Sequence, residues 1–242
     1  MDKEESFVDT IKTIIYAVLI AVVIRSFWFE PFKIPSGSMY PTLYVGDYLF
    51  VSKYSYGYSR HSLPFSLPLF SGRIWTTAPK RGDVVVFKNP QDNSTDYIKR
   101  VIGLPGDLVK LEKGRLYING KQLERKNEEE FVIRNKFGGA ERYLKYVEVL
   151  PEGKEHFILE VSDWEVNDDF DEVRVPDGNY FMMGDNRDRS DDSRVNVGFV
   201  PEENLVGKAR FLFFSHNDED AWYKPWTWPK KIRWSRLFSS IN

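Results

Sequence analysis

The hydrophobic pattern changes character once, near Pro31. Residues 13–24 read Thr-Ile-Ile-Tyr-Ala-Val-Leu-Ile-Ala-Val-Val-Ile, without a charge. As a helix this run covers about 18 Å, short of a hydrocarbon core of ~30 Å, so length alone also fits a buried helix or the core of a cleaved signal. Three features favour a retained membrane anchor. Lys12 and Arg25 bracket the run and can snorkel toward headgroups. The apolar stretch resumes at Phe27-Trp28-Phe29, with Trp28 suited to the interface. No small-x-small cleavage site follows closely. Residues 12–29 as one helix reach about 27 Å, enough to span with slight thinning of the bilayer. Lys3 and Lys12 on one side balance Arg25 and Lys33 on the other. The positive-inside count is therefore tied and leaves orientation open.

Beyond Pro31 the period is that of strands. Asp47–Lys53, Asp83–Lys88 and Asp96–Ile102 are short β-branched and aromatic runs bounded by Gly or Pro. Leu108–Glu112 and Arg115–Ile118 flank Lys113-Gly114, and Asn119-Gly120 is a further turn signal. Arg142–Leu150 and Glu155–Val161 form a second hairpin pattern, and Asn179–Met183 and Leu205–Phe214 supply later strands. No long amphipathic helix intervenes, so the expected fold is mainly β, a sheet or barrel-like body behind an N-terminal transmembrane helix. Tyr54–Pro79 reads as a long loop. The expected organisation is a tail at 1–11, an anchor at 12–29, a β-rich core from 30–118 and 175–242, and an inserted β-hairpin sub-domain at 119–174.

Composition narrows the chemistry. Lys+Arg total 34 and Asp+Glu 36, which argues against nucleic acid as the main partner. Cysteine is absent, which excludes disulfides, thiolate metal sites and a cysteine nucleophile. The three histidines, His61, His156 and His216, are scattered, and no H-x-x-H spacing points to a metal. From Ala221 to Asn242 there are five Lys/Arg and no Asp/Glu, with Trp222, Trp226, Trp228 and Trp234. That composition suits lipid headgroups, and equally a tail packed on the β body.

Three polar clusters carry candidate chemistry. Pro35-Ser-Gly-Ser-Met-Tyr-Pro-Thr-Leu43 is a rigid turn that can expose a hydroxyl and aim backbone N–H groups at one point, although Ser-Gly-Ser is more often only a turn. In the strand through Tyr97-Ile-Lys-Arg-Val, alternation puts Lys99 on one face with Tyr97 and Val101. Such a lysine is usually an edge charge, but burial can make it a base. An ordinary amine with a pKa of ~10.4 must be pulled down by about 4 kcal/mol to work near neutrality. Gly184–Arg194 packs four Asp, three Arg and two Ser into eleven residues, either a solvated loop or a network that locks neighbouring groups.

In this order, with Arg81-Gly-Asp-Val-Val-Val-Phe87 between them, these segments resemble the bacterial type I signal peptidases, the membrane-anchored Ser-Lys endopeptidases (peptidase S26). The resemblance implies Ser38 as nucleophile and Lys99 as general base. It implies that Ser36 and the Ser38 N–H hold an oxyanion and that Ser190 orients the Lys99 amine. Asp192 and Arg194 become a charged pair beneath the site, with Asp185, Arg187 and Arg100 in support. It also implies shallow apolar pockets from Phe32, Ile34, Met39, Leu43, Tyr97 and Ile98, which accept small residues at −1 and −3. A substrate would lie as a strand beside 32–37. No cofactor or metal is implied. The implied partners are preprotein signal peptides, the lipid bilayer and the secretion translocon. The implied location is the bacterial inner membrane, single-pass, with the catalytic body on the periplasmic face. Arg189 stands where the family commonly has Asn. Two rivals are a self-cleaving repressor, which would need a DNA-binding region in place of the anchor, and a tethered peptide-binding β module without catalysis.

Overall fold

A computed structural model describes residues 2–63, 66–67, 70–134, 139–217 and 228–241. The first element is helix α1, Asp2–Phe27. Within it Phe7–Phe27 is long and apolar enough to cross a membrane; its apolar window, with a mean hydropathy of 2.2, has no buried residue, and Ser26 near the end of the helix is buried. The helix thus lies earlier in the chain than the expected 12–29, and Phe29 already opens a strand. The reason is local. Pro31 disfavours helix at the residue before it. Glu30 is drawn instead between Arg25 and Lys53, at 2.5 and 2.8 Å, and the Trp28 carbonyl accepts the Lys53 N–H at 3.0 Å.

Sixteen strands follow among the described residues. They are β1 Phe29–Lys33, β2 Asp47–Ser52, β3 Tyr58–Ser59, β4 Arg73–Ile74, β5 Val84–Lys88, β6 Asp96–Gly103, β7 Leu108–Glu112 and β8 Arg115–Ile118. Then come β9 Lys121–Gln122, β10 Glu124–Arg134, β11 Ala140–Val149, β12 Glu155–Glu160, β13 Phe170–Arg174, β14 Asn179–Met183, β15 Val200–Pro201 and β16 Leu205–Ser215. A seven-stranded antiparallel sheet in the order β1-β2-β16-β5-β6-β14-β15 forms the body, curled into a half-barrel.

The valine run in β5 is buried on both faces. Val84 and Val86 join Ile34, Met39, Leu43, Leu49 and Leu212 in one core. Val85 and Phe87 join Val101, Tyr180 and Met182 in another. A strand covered on both sides reads as a continuous apolar run, as this one does. A third core, with Ile102, Val109, Leu116 and Phe181, lies under a four-stranded sheet ordered β13-β7-β8-β9. Its tight turns carry the expected residues: Lys113-Gly114 and Asn119-Gly120 all take positive φ, as type I′ hairpins require.

That sheet crosses both edges of the expected 119–174 insertion, because β9 pairs with β8 and β13 with β7. The separate portion is the three-stranded sheet β10-β11-β12. Its β11 and β12 answer to the expected hairpin; β10, with its acidic run, was not foreseen as a strand. Cross-strand cations make it one: Arg142 pairs with Glu130 at 3.0 Å and Lys145 with Glu129 at 3.5 Å. The Tyr54–Pro79 stretch, expected as a loop, contains the β3–β4 pair, where the Arg73 guanidinium donates to the Gly57 carbonyl at 2.7 Å and the Glu202 carbonyl at 3.1 Å.

The C-terminal tail resolves in part. Trp222 and Trp226 lie outside the described residues. Arg236 and Arg233 reach the buried Asp47 at 2.6 and 3.4 Å, and Ile241 joins the first core. Trp234 stays 61% exposed. The described tail therefore packs its cations on the body.

A buried ion pair fastens the β10–β12 sheet to the body. Glu148 on β11 holds Arg187 through two hydrogen bonds, and each side chain is 1% exposed. Glu148→Ala leaves a buried cation uncompensated and is expected to cost ~3–5 kcal/mol, read as a lowered midpoint in denaturant unfolding of the detergent-solubilised protein.

Candidate active site

The loop after β1 is held from below by its own apolar side chains. Met39 and Leu43 are fully buried, the Leu43 N–H donates to the Met39 carbonyl at 2.8 Å, and the Tyr40 N–H donates to Gly37 at 3.1 Å. The Tyr40 ring lies over Gly37 so closely that a Cβ there would sit 2.4 Å from it. The Tyr40–Pro41 bond is cis. Pinned in this way, the turn directs Ser38 toward β6.

Lys99 lies opposite Val85 in the β5–β6 register. It shares its face with Tyr97, whose ring centroid is 5.6 Å from the amine. Lys99 Nζ meets Ser38 Oγ at 2.6 Å, across 61 positions of sequence. The lysine is only 3% exposed. Burial pulls its pKa down to about 8, against Asp192, Asp191 and Asp185, which push it up, while Arg194 adds to the fall. Desolvation wins because it removes the water that stabilises the ammonium form.

Around this contact the Gly184–Arg194 loop forms a dense network. Arg194 grips Asp192 with Nε and Nη2, at 3.0 and 2.9 Å. Burial works against the Asp192 carboxylate, but Arg194 outweighs it and keeps the group below its ordinary pKa. Arg194 also donates to the Arg187 carbonyl at 2.6 Å. Arg100, fully buried, grips Asp185 with two bonds of 2.8 and 2.7 Å, and Thr42 donates to the same carboxylate at 2.5 Å. This last bond ties the Ser38 turn to the network.

The other expected site residues are placed as follows. Ser36 Oγ lies 3.5 Å from Ser38 Oγ. Ser190 is 5% exposed; its hydroxyl lies beside the Asp192 carboxylate, which it helps to hold below its ordinary pKa, and makes no hydrogen bond to Lys99. Ile34 joins Met39 and Leu43 inside the first core, with Phe32 and Ile98 partly buried at its rim. Tyr97 packs at the third core and donates to Asp191 at 3.3 Å. Among the described residues no three metal-ligating side chains converge.

Two contributors escaped the sequence reading. The Asn186 N–H donates to the Ser38 carbonyl, and its side-chain amide to the Gly37 carbonyl, both at 3.1 Å. Gly184 lets the loop press against the turn: a Cβ there would lie 2.2 Å from Ser190 Oγ and 2.5 Å from the Ser38 carbonyl. The only signal for either was a small residue and an amide inside a charged segment.

A hydroxyl against a desolvated amine, oriented by buried ion pairs, is the equipment of an acyl-transfer hydrolase. Residues 7–214 match the family described as signal peptidase, peptidase S26. The chain belongs to that family and is a peptidase. Among curated relatives, the signal peptidase I of Rickettsia typhi is 43% identical over 245 residues, spanning 93% of this chain and 90% of that protein. The signal peptidase I of Rickettsia canadensis is 43% identical over 249 residues, spanning 95% and 92%. A solved signal peptidase I from Enterococcus faecalis V583 is 27% identical, with a TM-score of 0.32 over 55% of this chain and 97% of that one.

Gly184→Ala is expected to push Ser38 away from Lys99 by a fraction of an ångström or more. Misplacement of that order lowers kcat/KM by ~10²-fold. Peptidase assays, with circular dichroism to show an intact fold, check this.

Proposed function

We propose that this peptidase is a membrane-anchored serine endopeptidase that removes N-terminal signal peptides from exported preproteins, with a Ser-Lys dyad. The observation that carries the reading is the 2.6 Å contact between Ser38 Oγ and a Lys99 amine brought down to about 8. Neutral Lys99 takes the Ser38 proton as Oγ attacks the scissile carbonyl. The Ser38 N–H and the Ser36 hydroxyl hold the oxyanion. The Lys99 ammonium returns its proton to the leaving amine, and an acyl-enzyme remains on Ser38. Lys99 then activates the water that releases the signal peptide. Ser190 is the hydroxyl that steadies the ammonium form, from its buried position beside Asp192.

The leader side of the substrate runs along Phe32 and Ile98, over a floor of Ile34, Met39 and Leu43, with Tyr97 at the end. Because Met39 and Leu43 already fill their core positions, little depth remains, and only small side chains fit at −1 and −3. β1 is an edge of the large sheet, which supports addition of the peptide as a strand beside 32–37. The 21-residue apolar stretch of α1 anchors the enzyme, its exposed flank facing lipid and the translocon. The N-terminus is cytosolic and the β body lies on the outer, periplasmic face of the inner membrane, where a translocated signal peptide emerges.

Ser38→Ala and Lys99→Ala are each expected to abolish processing of a labelled preprotein. Because the neutral amine is the working form, kcat/KM rises with pH through a midpoint near about 8 and is lost below it. Asp191→Asn removes an anion that favours the charged amine, so the acid limb moves to lower pH. Persistent cleavage by either alanine variant, or an acid limb unmoved by Asp191→Asn, contradicts the assignment.

The orientation has its own check. The chain has no cysteine, so a single Lys121→Cys on the exposed β9 reports topology. Intact spheroplasts are expected to label with a membrane-impermeant maleimide; labelling only after lysis reverses the orientation.

A further inference from the structure

A pocket opens at Ser38 against the β10–β11 hairpin. It has a volume of about 320 Å³. One wall is the Ser36–Tyr40 turn; the other is the β10–β11 hairpin, through Ile133, Glu141 and Tyr143, closed by Asn186 and Arg189. Phe32, Ile98 and Tyr97 take no part in it. The hairpin is docked rather than merely near: Phe131 meets Tyr44 edge-on at 6.2 Å, and Tyr44 packs on Tyr40 at 5.1 Å. Ile133 and Glu141 are cross-strand partners, so they present one rung of the hairpin to the turn.

We propose that this pocket receives the first residues of the mature chain, immediately downstream of the cut, and that Arg189 makes it favour an acidic side chain there. The proposal rests on the Ser-Lys reading of the site. A peptide whose scissile carbonyl sits at Ser38 Oγ has its acyl part on one side and its leaving amine on the other. The leader side is occupied by Phe32 and Ile98. The chain beyond the leaving amine must therefore enter the space that begins at Ser36–Ser38, which is this pocket. Its charge is asymmetric in what it leaves free. The Glu141 carboxylate already accepts the Tyr143 hydroxyl at 2.6 Å. Among the described residues Arg189 forms no ion pair; it bonds the Tyr143 hydroxyl, which stands between it and Glu141. An incoming Asp or Glu at +1 or +2 supplies the missing anion. Arg189 thus becomes a specificity-determining residue.

The test uses the full-length enzyme in detergent and preproteins that share one leader, with Ala at −1 and −3, and carry Asp-Glu, Ala-Ala or Lys-Lys at +1 and +2. The unmodified enzyme is expected to cleave the acidic substrate with a kcat/KM ~3–10-fold above the lysine one, the size of a partly exposed ion pair. Arg189→Ala should bring the ratio to about one and Arg189→Glu should invert it, with the preference at −1 unchanged in both. Arg189 is exposed, so both variants should fold. Equal cleavage of the three substrates by the unmodified enzyme, or a preference that survives Arg189→Glu, overturns the pocket assignment while the dyad stands. No cleavage of any substrate by the unmodified enzyme removes both.

Discussion

The structure turns on keeping one lysine dry. An amine in water is protonated and useless as a base; the same amine buried beside a hydroxyl shares its proton readily. Lys99 is surrounded so that desolvation exceeds the pull of three nearby carboxylates. The seven-stranded sheet supplies that burial. Val85 stands opposite Lys99 across the strand pair and belongs to a fully covered core. Ser38 closes the remaining side. The core that stabilises the fold and the environment that activates the amine are thus one assembly, and loosening one rehydrates the other.

The charges beneath the site follow from the same demand. Asp192 close to a lysine would restore its proton if left unopposed. Arg194 binds both carboxylate oxygens and limits the field Asp192 exerts on Lys99. Arg100 does the same for Asp185. The pairs are buried, so their net contribution to stability is small, whereas removal of one partner is costly. Their value lies in geometry: Thr42, Asp185 and Arg100 bind the Ser36–Leu43 turn to β6, and Asn186 binds it to the loop after β14. Ser38 is therefore held from two directions.

How far this was legible in the sequence depended on the range of the interaction. Patterns settled locally were readable: the Asp83–Lys88 run as a strand, the Asn119-Gly120 turn, and the alternation that puts Lys99 with Tyr97. The Ser38–Lys99 contact was not derivable from spacing, since nothing in a 61-residue separation says that a turn and a strand bring its ends together; only the resemblance supplied it. β10 was missed because its acidic run lacks the alternation of a strand. Its pairing depends on cations in β11, Arg142 and Lys145, which a local reading does not connect. Asn186 and Gly184 act through the backbone of another segment, and backbone contacts leave no periodic trace.

The β10–β12 sheet then has a reason to exist beyond decoration of the body. It is tied to the catalytic loop at its base, where Glu148 holds Arg187 and the Leu159 N–H donates to the Asp185 carbonyl at 2.8 Å. It rests on the nucleophile turn further out through Phe131 and Tyr44. These two attachments set Ile133, Glu141 and Tyr143 opposite the Ser36–Tyr40 turn. The proposed pocket thus draws one wall from the added sheet and its cation, Arg189, from the 184–194 loop, and the sheet's part in it is to hold that wall beside the turn.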